Sequence, residues 1–369
     1  MATSLNPRRK RLIHFFIGFG LFGFGMLSGP FLAYWGFSRG VARAEEKSSL
    51  DLLKKAENYE NHPRFQGKKI SVDFSHSYPQ VTYWKITHLG LKQERLEKVS
   101  PRGDQEEILI TSGREKLHYF IKQGVLIREI IQGEQQNFDP LRKNLDLVRQ
   151  NYSIETIGES QVGRHKVIRV QFNPRFSGRP QQEIWIDPEA GLSLRSEIYG
   201  EGGKLSTLES FSEIEINPSI PAAALRINLP EKVRKADFIV YPQPDLAAAA
   251  RSFGEQIFLP DSLPAGFVLK GIVVNRIGSN SRLQLVYSDG LTGLSVFQEK
   301  YRPNVETAVG LTPLKDSGFF AVSRGLTQLL AFLRGNLKIV LVGEIGKNEI
   351  NQIAESLKPA TFEGGNTRD

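Results

Sequence analysis

The 369-residue chain contains no cysteine. That absence excludes a disulfide scaffold, a thiolate zinc site, an iron–sulfur cluster and a cysteine nucleophile. Histidine is scarce as well. His14, His62, His76, His88, His118 and His165 are the full set, and no two stand at i, i+3 or i+4, so no metal site is expected. No G-x-S-x-G elbow is present. The adjacent acids Glu106 and Glu107 point to opposite faces of a strand and cannot act as a carboxylate dyad. Gly18-x-Gly20-x-x-Gly23 has dinucleotide-loop spacing but lies in an apolar run with no strand before it. No catalytic residue and no cofactor is expected.

A one-signed charge surplus is also missing from most of the chain. The formal net charge is +8, with 48 basic and 40 acidic residues. Six of the basic residues, and no acid, fall in residues 1–44, so the remainder carries 42 against 40. A global nucleic-acid-binding field is excluded on that distribution, and nucleic acid is not an expected partner.

What is present begins with the leader. Residues 1–11 form a basic tail ending in Arg8-Arg9-Lys10-Arg11, and residues 12–38 contain no Asp, Glu, Lys or Arg. As a helix those 27 residues would span about 40 Å, more than the ~30 Å hydrocarbon core. The positive-inside rule keeps the tail in the cytoplasm and exports everything after it. The run's length favours a retained inner-membrane anchor. Val41-Ala42-Arg43-Ala44 resembles a signal-peptidase site, so cleavage after Ala44, giving a soluble periplasmic protein, stands as the alternative.

A short amphipathic helix is predicted at 48–59, then a series of strands beginning with Ile70–Phe74 and Val81–Ile86 and ending with Lys204–Ile216, interrupted by helical spacing at 139–150. Residues 48–216 therefore read as one large antiparallel meander curled over a few helices. Asn217 to Pro264 holds seven of the 19 prolines, and 217–258 reads as a proline-rich connection rather than central sheet. Residues 259–360 read as a smaller α+β unit. It holds a hairpin across Asp289-Gly290, suited to a two-residue type I′ turn, and a closing helix at 347–357. Residues 361–369 read as a polar, disordered tail.

The aromatic inventory supplies the remaining candidates. Phe74, Trp84, Phe120, Phe172 and Trp185 lie on predicted strands. Trp185 shares its strand face with Glu183 and Asp187, while Ile184 and Ile186 take the other. A large ring among acids reads either as half-exposed packing or as one wall of an acyl-chain or peptide groove, and the five aromatics are the lipid-groove candidates.

Several stretches, taken in order, resemble the MucB/RseB family, periplasmic regulators of envelope-stress sigma factors. They are Glu94-Arg95-Leu96-Glu97-Lys98-Val99-Ser100-Pro101, Leu117-His118-Tyr119-Phe120, His165-Lys166-Val167-Ile168-Arg169-Val170, and Ile184 through Ser196. Leu263-Pro264-Ala265-Gly266-Phe267, Val286 through Leu291, Val342-Gly343-Glu344 and Ile353-Ala354-Glu355-Ser356 continue the match. The resemblance implies a lipoprotein-carrier-like half-barrel of curved antiparallel sheet and a smaller C-terminal domain. It implies a partner, the periplasmic segment of a membrane-bound anti-sigma factor, which is shielded from proteolysis. It also implies a lipid or lipopolysaccharide ligand that relieves the shield. Arg195, Tyr287, Asp289, Gly290 and Phe297 are the partner-docking candidates on this reading. A lipid or lipoprotein carrier of the envelope is the alternative function.

Overall fold

Alternating apolar and polar side chains make six successive strands of residues 65–131: β1 (Phe65–Asp73), β2 (Gln80–Gly90), β3 (Gln93–Val99), β4 (Gln105–Ser112), β5 (Glu115–Phe120) and β6 (Val125–Ile131). The computed structural model describes residues 50–56, 62–90, 93–132, 145–243, 245–277, 280–301, 320–324 and 326–361. The leader and residues 362–369 lie outside these, so the anchor and the disordered tail are expectations on which the structure is silent. Among the described residues no helix is long and apolar enough to cross a membrane.

A helix at residues 50–56, α1, precedes β1, and α2 (Leu145–Asn151) precedes β7 (Tyr152–Val162), β8 (His165–Pro174), β9 (Gln181–Asp187), β10 (Leu192–Tyr199) and β11 (Leu205–Ile216). Both helices begin or end beside residues outside the described set, including 57–61 and 133–144. β11 returns to pair with β1, whose other neighbour is β2.

Beyond residue 217 follow β12 (Arg234–Gln243), α3 (Leu246–Phe253), β13 (Phe258–Pro260), β14 (Val268–Ile277), β15 (Asn280–Ser288) and β16 (Gly293–Lys300). Then come β17 (Phe320–Arg324), β18 (Thr327–Arg334), β19 (Leu337–Gly343), α4 (Lys347–Ser356) and β20 (Leu357–Pro359). α3 is a well-signalled helix. Asp245 caps it by accepting from the Ala248 N–H, and Gly254, at φ 79°, ends it.

Among the described residues, eighteen strands make one sheet. Followed through their pairings, they run β7-β8-β9-β10-β11-β1-β2-β3-β4-β5-β6-β12-β14-β15-β16-β19-β18-β17. Every pairing in it is antiparallel except β6 with β12. The architecture is a large, mostly antiparallel sheet with few helices.

Two sequence expectations are corrected here. The proline-rich connection contributes a strand, β12, that joins the sheet of the first part to that of the second. Its prolines do not prevent this, because only Ile239 and Val240 pair on both sides, while Pro230 and Pro242 lie outside that doubly paired stretch. The β15–β16 connection is likewise not a two-residue turn. Ser288 pairs with Gly293, leaving a four-residue loop in which Asp289 Oδ1 accepts from the Leu291 and Thr292 N–H groups. Asn217 is the one non-glycine residue with positive φ among those described, so Asp289 does not adopt the left-handed geometry a type I′ turn requires.

The sheet is packed by separate clusters. α1 and α2 lay Leu52, Leu53, Ala56 and Val148 on Tyr152, Val170, Phe172, Ile184 and Ile186. A second cluster joins Val167, Trp185, Leu192 and Leu194 to Phe65 and Ile86. The connection covers β4–β6 by setting Leu225, Ile227 and Val233 on Ile108, Ile110, Tyr119 and Leu126. Residues 249–357 form their own core around Leu283, Leu285, Val296, Ile339 and Leu341, closed by α3 and α4. Each fully buried Leu or Ile there contributes roughly 1.5–3 kcal/mol relative to exposure.

Candidate functional site

The two cores meet at a charged joint. The loop between β8 and β9 carries Arg179, whose side chain is only 1% exposed. Its Nη1 donates to Glu349 Oε2 at 2.6 Å and its Nη2 to the Ala265 carbonyl at 3.4 Å. Nε lies 3.4 Å from Asp289 Oδ2, an ion-pair contact, and the guanidinium sits 4.8 Å from the Phe267 ring centroid. Glu349 stands in the first turn of α4 and also accepts from the Gly346 N–H. A buried cation is tolerable only with such pairing.

α2 and the start of β7 complete the joint. Asn151 Nδ2 donates to the Gly266 and Asp289 carbonyls at 3.0 and 2.8 Å, and Tyr152 Oη donates to Asp289 Oδ2 at 2.8 Å. Burial, then the Asp289 carboxylate, pushes the Tyr152 phenol well above its ordinary value. Two glycines let the parts approach. A Cβ at Gly290 would fall 2.8 Å from the Val148 backbone nitrogen, and one at Gly266 would fall 2.3 Å from Asn151 Oδ1; both have positive φ. A further contact joins the parts elsewhere, where Leu326 packs beside Gly200.

The second polar feature surrounds Trp185. The ring is 7% exposed, and the Arg169 and Arg195 guanidinium carbons lie 5.5 and 5.1 Å from its centroid. Register sets Glu183 directly opposite Glu197. Arg169 Nε donates to Glu183 at 2.7 Å and Arg195 Nε to Glu197 at 3.0 Å, so each arginine caps the indole and neutralises one acid. Burial pushes the Glu183 carboxyl up against the opposing pull of Arg169. Tyr199 donates to the other oxygen of Glu197.

The structure disperses the lipid-groove candidates. Trp185 is a core residue, Phe172 is fully buried under the helices, and Phe120 is buried with Val125 and Ile127. Trp84 is half-buried at the margin of the Trp185 cluster, and Phe74 is half-buried just past β1. Among the docking candidates, Tyr287 and Phe297 are interior, in different clusters. Asp289 and Gly290 meet α2 and β7 of the same chain rather than open surface. Arg195, with 35% of its side chain exposed, is the most accessible of the five. Sequence reasoning did not single out Arg179, Asn151, Tyr152 or Glu349, because their partners are 86 to 170 residues away along the chain.

Residues 48–229 match the family model described as the MucB/RseB N-terminal domain. The chain is 23% identical over 327 residues to the sigma factor AlgU regulatory protein MucB of Pseudomonas aeruginosa, covering 86% of this chain and 93% of that protein. The chain belongs to the MucB/RseB family. Solved MucB structures share its fold over 85% of this chain. It is similar to the Pseudomonas aeruginosa MucA/MucB complex (TM-score 0.60, 18% identity, 85% of this chain and 100% of that one). It is also similar to MucB in complex with MucA(peri) (TM-score 0.58, 19% identity, 85% and 99%). In this MucB/RseB member the joint around Arg179 is one of three connections between the cores, with the strand β12 and the Leu326–Gly200 contact.

Proposed function

We propose that this MucB/RseB member is a non-enzymatic, extracytoplasmic negative regulator of an envelope-stress sigma factor. It binds the periplasmic part of a membrane anti-sigma factor and shields that segment from proteolysis. The observation that carries the reading is a fold shared over 85% of the chain with MucB in complex with MucA(peri). Residues 12–38 hold the protein at the inner membrane, which raises its effective concentration near a membrane-bound target.

Lipid or lipopolysaccharide relieves the shield by binding the free form better than the partnered form, as any such switch requires. Trp84, half-buried on β2, and Phe74, half-buried just past β1, are the candidates available to it without unfolding a core. The test is capture of the periplasmic segment of a MucA-type anti-sigma factor from the same organism, followed by protease digestion of the captured segment, with and without lipid A. Capture with slowed digestion, reversed by lipid A, is the expected result. Absence of capture under both conditions removes the proposal.

A further inference from the structure

Tyr78 is the most exposed large hydrophobic residue among those described, at 81%, and Val81 follows at 46%. Both lie at the β1–β2 hairpin tip. From Phe74 to Trp84 the sequence holds no charged residue and four aromatics: Phe74, Tyr78, Tyr83 and Trp84. The tip is braced. The Phe74 N–H bonds the Ser206 carbonyl at 2.8 Å, the Ser75 N–H bonds Asp73 Oδ1 at 2.8 Å, and Gln80 Nε2 bonds the Tyr78 carbonyl at 3.2 Å. Register then sets Val72 beside Val81 on one side and beside Leu208 on the other. The end of the sheet therefore presents Tyr78 and Val81 on a held backbone, with Asp73, the acid nearest the tip, engaged by the Ser75 N–H.

We infer that this tip is a membrane-contacting finger whose occupant is the bilayer interface. Tyrosine favours that zone, with the ring among acyl chains and the hydroxyl at the headgroups, and residues 74–84, which hold no Asp, Glu, Lys or Arg, add little ionic desolvation cost there. A hairpin tip is too small for a stable protein interface, which needs about 800 Å² per partner. It offers no charge to set a partner's register either. The inference rests on the proposed anchor: only residues 39–49 separate the apolar run from α1, a reach of at most about 40 Å. A body on so short a tether meets the bilayer constantly, so a small contact suffices to orient it.

The absence of cysteine makes the test direct. Full-length Tyr78→Cys, and separately Val81→Cys, is labelled with an environment-sensitive fluorophore and reconstituted into phosphatidylethanolamine–phosphatidylglycerol vesicles. Leu333→Cys, on β18 and as exposed as Val81, serves as reference. The tip labels are expected to emit to the blue of the reference and to be quenched about twofold more by lipid-borne quencher. Emission and quenching equal to the reference overturn the inference, as does a shift that appears only when an anti-sigma ectodomain is added. Intact mass of the reconstituted protein separates the two ideas. A retained leader with an aqueous tip defeats the finger alone. A lost leader defeats the anchor, and the finger then falls only if added vesicles leave the tip label unmoved.

Discussion

Arg179 and Asp289 face one another across the joint between the two cores, Nε to Oδ2 at 3.4 Å, with both side chains only 1% exposed. Asp289 is held from several directions at once, by Arg179, the Tyr152 hydroxyl and two N–H groups of its own loop. Replacing Arg179 by methionine leaves buried acceptors without their cation and should cost about 3–5 kcal/mol. Denaturant melts of Arg179→Met, Asp289→Asn and the double variant measure this. The double variant should lose less than the two single losses added, because the residues share one network.

Gly290 makes a steric prediction at the same place. Alanine there must occupy a positive-φ site and meet the Val148 backbone, whereas a Cβ at Gly293, three residues on, meets nothing within 4 Å. Gly290→Ala should lower stability by about 2 kcal/mol or more and loosen α2 from the loop, while Gly293→Ala should change it by less than about 1 kcal/mol. Hydrogen exchange at α2 reads the loosening. Equal effects of the two substitutions would show that this close approach is not what holds the parts together.

A pH dependence follows from His62. Burial, and after it the neighbouring His88, pulls the imidazole down to about 4. The unfolded chain takes up that proton near 6.5 and the folded chain only near 4. Stability therefore falls as pH drops from about 6.5 to 4, by at most about 3 kcal/mol from this group. His118, lowered by burial against the pull of Glu107, adds in the same direction. Thermal melts at pH 7.5 and 5 should differ, and His62→Phe should narrow the gap. An unchanged gap would assign the acid sensitivity to other groups.

The tryptophans separate packing from ligand contact. Trp185→Ala removes an indole from a closed cluster and should cost about 3–5 kcal/mol. Trp84→Phe should be mild, because that ring is only half-buried. If lipid meets the accessible aromatics, then in a Trp35→Phe background lipid A changes the intrinsic fluorescence of the parent and of Trp185→Phe but not of Trp84→Phe. The opposite pattern would move the ligand into the Trp185 cluster.

Local pattern made much of the fold legible. The alternation Ile184-Trp185-Ile186 divides those residues between two clusters as period two requires, and Ile350, Ile353 and Ala354 bury one face of α4. β12 was hidden by its prolines, since their effect depends on which residues are paired on both sides, a property of neighbours and not of composition. The groove candidates show the complementary limit. An aromatic on a strand reads the same whether the space beside it is solvent or another part of the sheet.

Sequence by itself determined most of the strands before residue 217 and the closing helix, the lack of thiol chemistry and the confinement of excess charge to the leader, because each depends on residues close together or on simple counts. Only the tertiary structure decided that one arginine among 48 basic residues would become a buried joint. Its charge is satisfied by groups far along the chain, and dehydration makes that pairing matter only once folding has brought them together.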